Sequence, residues 1–349
     1  MKSYFKPLLK WFLVYPFVIV LCTELTFRVM GYGVFYNTDY NVKAEPNHAY
    51  IGHETFGIRL NPGNYKITLN DKVIFTTAHN LGGVRKTLGA KSLGKPSVVF
   101  LGCSFTYGYG VNDNNTFASY IQGMFPDENV LNLGVIGYGT IQSYLQLKKR
   151  LATEKPKLAV LNFSSLHFMR NTLSPRYRSN LKIGYKRSSD KVETLMTKAR
   201  FPYMDHCDAK IKFQPWETMY SNWPLRDWLA SVNGMQIIYD QYSYQSDEVK
   251  VTACIINKMD SICKENNVRF IVSCLDSNEE TKRLKKILSP SIYWHDINFD
   301  FSSKELTHLP FDSHPNKKGH KLIADKLYPI INKLLVDLKA DKVDNKYLD

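Results

Sequence analysis

Ser97-Val98-Val99-Phe100-Leu101-Gly102-Cys103-Ser104-Phe105-Thr106-Tyr107-Gly108-Tyr109-Gly110 is the stretch on which the fold turns. A continuous apolar run of strand length ends in a glycine, and a small polar triplet follows. Runs of the same kind recur at Val130-Leu131-Asn132-Leu133, at residues 158–163 and at Val268-Arg269-Phe270-Ile271-Val272. Helical patterns over residues 117–125, 141–153 and 249–266 lie between them. A last helix is predicted from 317 to 338, with Leu322, Ile323, Leu327, Ile330, Ile331, Leu334 and Leu335 on one stripe. Apolar strands alternating with helices call for a parallel sheet covered on both faces, an α/β doubly wound fold.

On either side of this core the pattern changes. Residues 31–95 form a β-rich lead-in. Tyr65, Ile67 and Leu69 alternate with polar residues as in a half-buried strand, and Asn61-Pro62-Gly63 has turn chemistry. Residues 171–248 hold Pro175, Pro202, Pro215 and Pro224 and only one helical stretch, over 225–239. They are expected to insert above the sheet of a domain spanning 96–338, with 339–349 as a polar tail. Trp216, Trp223 and Trp228 of the insertion are either a platform for a ligand or the packing of the insertion itself.

The first thirty residues carry Lys2, Lys6 and Lys10 ahead of an uncharged stretch from Trp11 to Thr23, closed by Glu24. One helix with charges at its two ends is expected. Snorkelling lysines and the lack of a small-residue cleavage site favour a membrane anchor over a cleaved signal or an ordinary helix. The basic flank then puts the rest of the chain outside the cytoplasm.

The chain has 349 residues, 44% hydrophobic and 22% charged, which excludes wholesale disorder. A mean hydropathy of −0.30 excludes a polytopic membrane protein. The formal net charge of +14 comes from scattered residues. With no zinc-finger spacing, aromatic RNA-binding motif or phosphate loop, nucleic acid is not expected as a partner. No C-x-x-C motif points to structural zinc. Cys207, Cys254, Cys263 and Cys274 are free to pair in an oxidising compartment.

Two places can do chemistry. Ser104 follows the strand ending at Gly102, and active sites in open parallel sheets lie beyond the carboxyl ends of the strands. A serine hydroxyl is a weak nucleophile and needs a base. Far downstream, Asp312-Ser313-His314-Pro315-Asn316 puts a carboxylate two residues from an imidazole, a spacing that lets Asp312 hold one ring nitrogen of His314. His308 and His320 are competing bases.

Together these motifs resemble the SGNH (GDSL-like) hydrolase superfamily. Its G-D-S-x-T-x-G is matched by Gly102-Cys103-Ser104-Phe105-Thr106-Tyr107-Gly108, with Cys103 in place of aspartate, and its D-x-H-P-N by residues 312–316. Asn132-Leu133-Gly134-Val135-Ile136-Gly137 is similar to its second block. The resemblance implies a three-layer α/β/α sandwich with five parallel strands in flavodoxin-like order. It implies Ser104, His314 and Asp312 as catalytic residues, oxyanion donors at the N–H groups of Ser104 and Gly137, and no cofactor or metal. The third block departs from the pattern. Leu166 stands where an oxyanion-binding asparagine is usual, leaving His167, then Ser165 or Asn171, as substitutes, and Arg170 and Asn171 as candidate substrate contacts. The function implied is an exported, membrane-tethered serine esterase removing acyl groups, acetyl above all, from a carbohydrate. The alternatives are an O-acyltransferase with the same triad and a non-catalytic glycan-binding protein.

Overall fold

Residues 5–36, 41–90, 97–186 and 195–344 are described by a computed structural model. Lys2, the boundary drawn at 95 and residues 345–349 of the tail fall outside them, as do the side chains of Lys6 and Lys10. The chain divides into two units, residues 1–39 with 220–245, and residues 40–219 with 246–349.

In the larger unit the strands run β1 (Val42–Glu45), β2 (Tyr50–His53), β3 (Gly57–Leu60), β4 (Gly63–Leu69), β5 (Val73–Asn80), β6 (Val84–Arg85), β7 (Val98–Gly102), β8 (Val130–Asn132), β9 (Leu158–Phe163), β10 (Arg200–Tyr203), β11 (Lys212–Pro215), β12 (Arg269–Cys274), β13 (Tyr293–Asp296), β14 (Thr307–His308) and β15 (Asp312–Pro315). Nine of them form one sheet in the order β1-β4-β5-β6-β8-β7-β9-β12-β13. The five from β8 to β13 are parallel. Numbered among themselves they read 2-1-3-4-5, the doubly wound flavodoxin order expected. Of the lead-in strands, β2 and β3 form a hairpin of their own, and β1, β4, β5 and β6 join this sheet. These four extend it antiparallel, through Arg85 paired with Asn132.

Helices α3 (Phe117–Met124), α4 (Thr140–Leu151), α8 (Glu248–Glu265), α9 (Glu279–Ile287) and α10 (Lys317–Asp344) cover the parallel strands. Because side chains alternate across a sheet, Leu101, Leu161 and Val272 face Leu147, Ile256, Met259 and Leu284 of α4, α8 and α9. Val98, Phe100, Val160 and Ile271 face Phe117, Ile121, Ile323, Leu327 and Ile331 of α3 and α10. That makes three layers. Within the former insertion, β10 and β11 form a ribbon, and Cys207 is joined to Cys254 of α8 by a disulfide with Cα atoms 5.5 Å apart. Cys263 and Cys274 are free and buried.

The smaller unit holds α1 (Phe5–Val29) and α7 (Ala230–Ser243). The Glu24 carboxylate accepts from the N–H groups of Ala230 and Ser231, both at 2.9 Å, capping α7 from a distant part of the chain. Burial opposes ionisation of Glu24, but the bonds from Ser231 and Ala230 prevail and hold it at about 2. Phe12, Phe17 and Ile19 of α1 are exposed. Among the described residues no helix is long and apolar enough to cross a membrane, which corrects the expectation of a spanning anchor. The uncharged stretch from Trp11 to Thr23 rises only about 20 Å at helical pitch, against roughly 30 Å of hydrocarbon. Pro16 lies inside the helix, where it has no backbone N–H to donate.

The larger unit buries imidazoles as neutral groups. His79 bonds Asn61 O and Tyr107 Oη, each at 2.9 Å, and burial pushes it down to about 4. His320 stacks on Phe117, and burial, then the Arg85 charge, take it down to about 3. Between pH 6.5 and 4 the unfolded chain therefore binds more protons than the folded one. The stabilisation is present above about 6.5 and is lost as pH falls through that window. The urea midpoint is expected to drop steadily from pH 7 to pH 4.5; a flat profile would contradict this account.

Candidate active site

Strand β7 is buried along its whole length and stops at Gly102, whose φ is +150°. A Cβ there would collide with Thr106 Oγ1 and lie 2.8 Å from Asn162 O, so only glycine lets the chain turn so tightly. Cys103 is extended, and Ser104 opens a single helical turn, α2 (Ser104–Tyr107), closed by Gly108 in the left-handed region. The sheet thus delivers the serine at the end of a central strand.

The other half comes from the ribbon of β14 and β15. Asn316 ties its base: Nδ2 donates to Glu305 O and Thr307 O, while Oδ1 accepts from the N–H groups of Lys318 and Gly319 at the start of α10. This ribbon brings His314 Nε2 within 2.8 Å of Ser104 Oγ and His314 Nδ1 within 2.6 Å of Asp312 Oδ1. Asp312 Oδ1 also accepts from the His314 backbone N–H at 2.7 Å. With the carboxylate accepting, Nδ1 carries the proton and Nε2 is left to accept from the serine hydroxyl. The Asp312 side chain is 3% exposed and that of His314 19%, so the series runs from a buried charge to an imidazole at the surface. Phe105 and Tyr109 flank the His314 ring, with centroids 5.1 and 5.0 Å away. Of the competing bases, His320 is spent accepting from Phe117 N, and His308 packs against Gly110.

The turn around Ser104 is held by a residue outside the expected motifs, Arg85, and by two within the second block, Asn132 and Gly134. Arg85 of β6, wholly buried, pairs with Asp113 at 2.9 Å and donates to the carbonyls of Tyr107, Gly108 and Val111. Its guanidinium lies 4.5 Å from the Tyr107 ring centroid. Asn132 Nδ2 donates to Thr106 O at 2.9 Å. A Cβ on Gly134 would strike the Tyr107 N, so this glycine, rather than Gly137, is the one pressed against the serine turn. Gly137 has φ +73° and its carbonyl accepts from Tyr177 Oη.

The third-block residues are placed elsewhere. Helix α5 (Leu166–Asn171), which α6 (Pro175–Lys186) follows, carries all of them but Ser165, which stands just before it. His167 is wholly buried, bonded to Thr140 Oγ1 at 3.2 Å and not to Ser104 or His314, and burial with the Arg170 charge keeps it neutral. Asn171, also wholly buried, accepts from Ile141 N and donates to Thr252, which removes it as a substrate contact. Arg170 donates to Tyr138 O at 2.9 Å. Ser165 is tied to Asp276, the backbone N–H at 2.9 Å. Trp216 is buried under the Lys182 ammonium and is no platform, while Trp223 and Trp228 belong to the smaller unit.

No protein-family model and no curated protein matches the chain. Among solved structures, it is similar to the psychrotrophic esterase EstA from Pseudoalteromonas sp., at 13% identity over 68% of this chain and 97% of that one, with a TM-score of 0.38. It is similar to a GDSL-like lipase from Bacteroides thetaiotaomicron, at 11% identity over 69% and 93%, with a TM-score of 0.34. It is also similar to the acetyl xylan esterase AlAXEase, at 11% identity over 67% and 98%, with a TM-score of 0.38. Likeness this distant bears on neither substrate nor mechanism.

Removing the Arg85 side chain takes the charged donor from Asp113 and from three carbonyls around the serine turn. Arg85→Ala is expected to lower the unfolding free energy by about 3–5 kcal/mol, read from urea denaturation. Arg85→Lys, which keeps the charge but not the planar fork, is expected to recover only part of it.

Proposed function

We propose that the chain is a serine esterase acting by way of Ser104, His314 and Asp312. The single observation carrying this reading is the unbroken hydrogen-bonded series from the Ser104 hydroxyl through the His314 imidazole to the Asp312 carboxylate. In this mechanism Ser104 Oγ attacks an acyl carbonyl while His314 Nε2 takes its proton. Asp312 fixes the ring and stabilises the imidazolium, and His314 then protonates the departing alcohol. Water resolves the acyl-enzyme by the reverse sequence. The N–H groups of Ser104 and Gly137 are the proposed oxyanion donors. A carbohydrate carrying acetyl or other short acyl esters is the proposed substrate.

The proposed setting is outside the cytoplasm, at a membrane. The Cys207–Cys254 disulfide supports an oxidising compartment. The exposed apolar side chains of α1 support attachment through that helix to a lipid surface. A carboxyl-terminal alkaline phosphatase fusion is expected to be active in the cell and to sediment with membranes; a silent fusion would overturn the location.

A fluorophosphonate probe is expected to label Ser104 and no other residue. Ser104→Ala abolishes labelling, and Asp312→Asn reduces ester turnover by about 10⁴-fold, since the imidazole is then held in the wrong tautomer. Unchanged labelling in Ser104→Ala would refute the assignment. Product analysis with and without a sugar acceptor separates hydrolysis from acyl transfer.

A further inference from the structure

A cavity of about 380 Å³ opens between the hairpin of β2 and β3, the turn joining β5 to β6, and the carboxyl-terminal half of α4. Its size is within the range of small-molecule sites. His53, Arg59, Lys149 and Arg150 line it, and no lining residue is acidic. Arg59 and Lys149 form no ion pair among the described residues. Arg150 gives one arm of its guanidinium to Glu154 at 2.8 Å. Its other terminal nitrogen turns toward Gly82 in the cavity wall. The positive field is felt locally: burial first, then the Arg59 and Lys149 charges, hold the His53 imidazole below its ordinary value.

The remaining lining is of a different kind. Phe56 stacks on His53, with centroids 4.8 Å apart, and lies 6.4 Å from the Tyr138 ring. Gln146 Oε1 is a buried acceptor with no hydrogen-bond donor among the described residues. An acceptor of this kind asks for a hydroxyl or amine in the ligand, since leaving it unmet costs free energy. Three cations ask for an anion, and aromatic rings in the wall suit an apolar ring face.

We propose that this cavity binds an acidic sugar unit, its carboxylate met by Arg59, Lys149 and Arg150 and a ring hydroxyl donating to Gln146 Oε1. Tyr138 follows Gly137 directly in the chain, so the cavity borders the loop that the esterase mechanism uses. The proposal rests on the esterase reading in one respect, that it makes the substrate an acidic polysaccharide whose uncharged acylated units reach Ser104 while a charged neighbour is gripped here.

The test is calorimetric binding of trigalacturonate to the full chain carrying Ser104→Ala, beside a neutral galactose trisaccharide and inorganic phosphate. Trigalacturonate is expected to bind at least tenfold tighter than the neutral sugar, with affinity falling as salt rises. In the otherwise wild-type chain, Arg59→Glu with Lys149→Glu is expected to lower that affinity at least tenfold and to leave fluorophosphonate labelling of Ser104 unchanged, which also shows that the variant is folded. Gln146→Leu is expected to weaken the acidic sugar and leave phosphate unaffected. Equal binding of the acidic and neutral sugars, or full affinity in the double variant, overturns the proposal. Phosphate binding as tightly as trigalacturonate overturns the saccharide assignment. Absence of Ser104 labelling with charge-dependent binding intact defeats the esterase reading alone.

Discussion

A buried guanidinium that must be satisfied is the constraint around which the larger unit is organised. Arg85 sits on a two-residue strand and cannot be buried there unless its N–H groups find acceptors. Four hydrogen bonds meet it, to Asp113 and to the carbonyls of Tyr107, Gly108 and Val111, which the chain exposes as it leaves α2. The charge and the turn therefore need each other. Carbonyls at the end of a one-turn helix are short of donors, Tyr107 O and Gly108 O having besides Arg85 only long bonds of 3.3 Å from Asn132 Nδ2 and Val111 N, and the arginine would otherwise be an uncompensated ion. Asn132 from β8 supplies a further donor, and Gly134 allows the second-block backbone to lie against the turn. Three strands, from parallel and antiparallel parts of one sheet, thus converge on the residues that follow Ser104. The same strand, β6, is the one through which the antiparallel strands join the parallel sheet, by Arg85 paired with Asn132.

A fixed serine is only half of a site, because the imidazole arrives from 210 residues away. The ribbon that carries it is short and would be loosely held on its own. Asn316 ties its base to the start of α10, and α10 is in turn packed into one face of the sheet through Ile323, Leu327 and Ile331. Phe105, the residue after the serine, packs on the ring of His314, while Tyr109 meets the ring edge-on. The two halves therefore share a hydrophobic clamp as well as a hydrogen bond, and rotation of the imidazole would have to break both.

The parallel sheet was legible in the sequence because buried parallel strands read as unbroken apolar runs, whereas its order and the meeting of Ser104 with His314 and Asp312 were expectations carried by the resemblance of the two motifs. The fifth strand was not legible. Tyr293–Asp296 lies at the sheet edge, is half-exposed, and has no such run. Arg85 carried no signal either, since a lone arginine in a β-rich stretch is normally solvated, and only the tertiary fold assembles its acceptors. The pairing of Cys207 with Cys254 is set by how the insertion crosses α8, which spacing alone does not encode. The first helix misled for a different reason. Its uncharged stretch resembles a span in composition, but Glu24, which looked like the polar end of an anchor, is a cap for α7.

The departure at the third block has a physical consequence once the side chains are placed. Each polar residue there already has structural work. Ser165 holds Asp276, His167 meets Thr140, Arg170 holds the Tyr138 carbonyl, and Asn171 bridges Ile141 and Thr252. Asn171 and His167 are sealed from solvent, so neither can turn toward an oxyanion without emptying a buried bond. On the esterase reading, stabilisation of the tetrahedral intermediate then falls to backbone N–H groups alone. A missing side-chain donor is worth about 2.7–4 kcal/mol of transition-state binding in serine hydrolases. An enzyme built this way would need the difference from contacts remote from the reacting carbon, where binding energy from the rest of a large substrate can be used for the chemical step. The loss of the donor therefore points away from small, simple esters and toward a substrate gripped well beyond its acyl group.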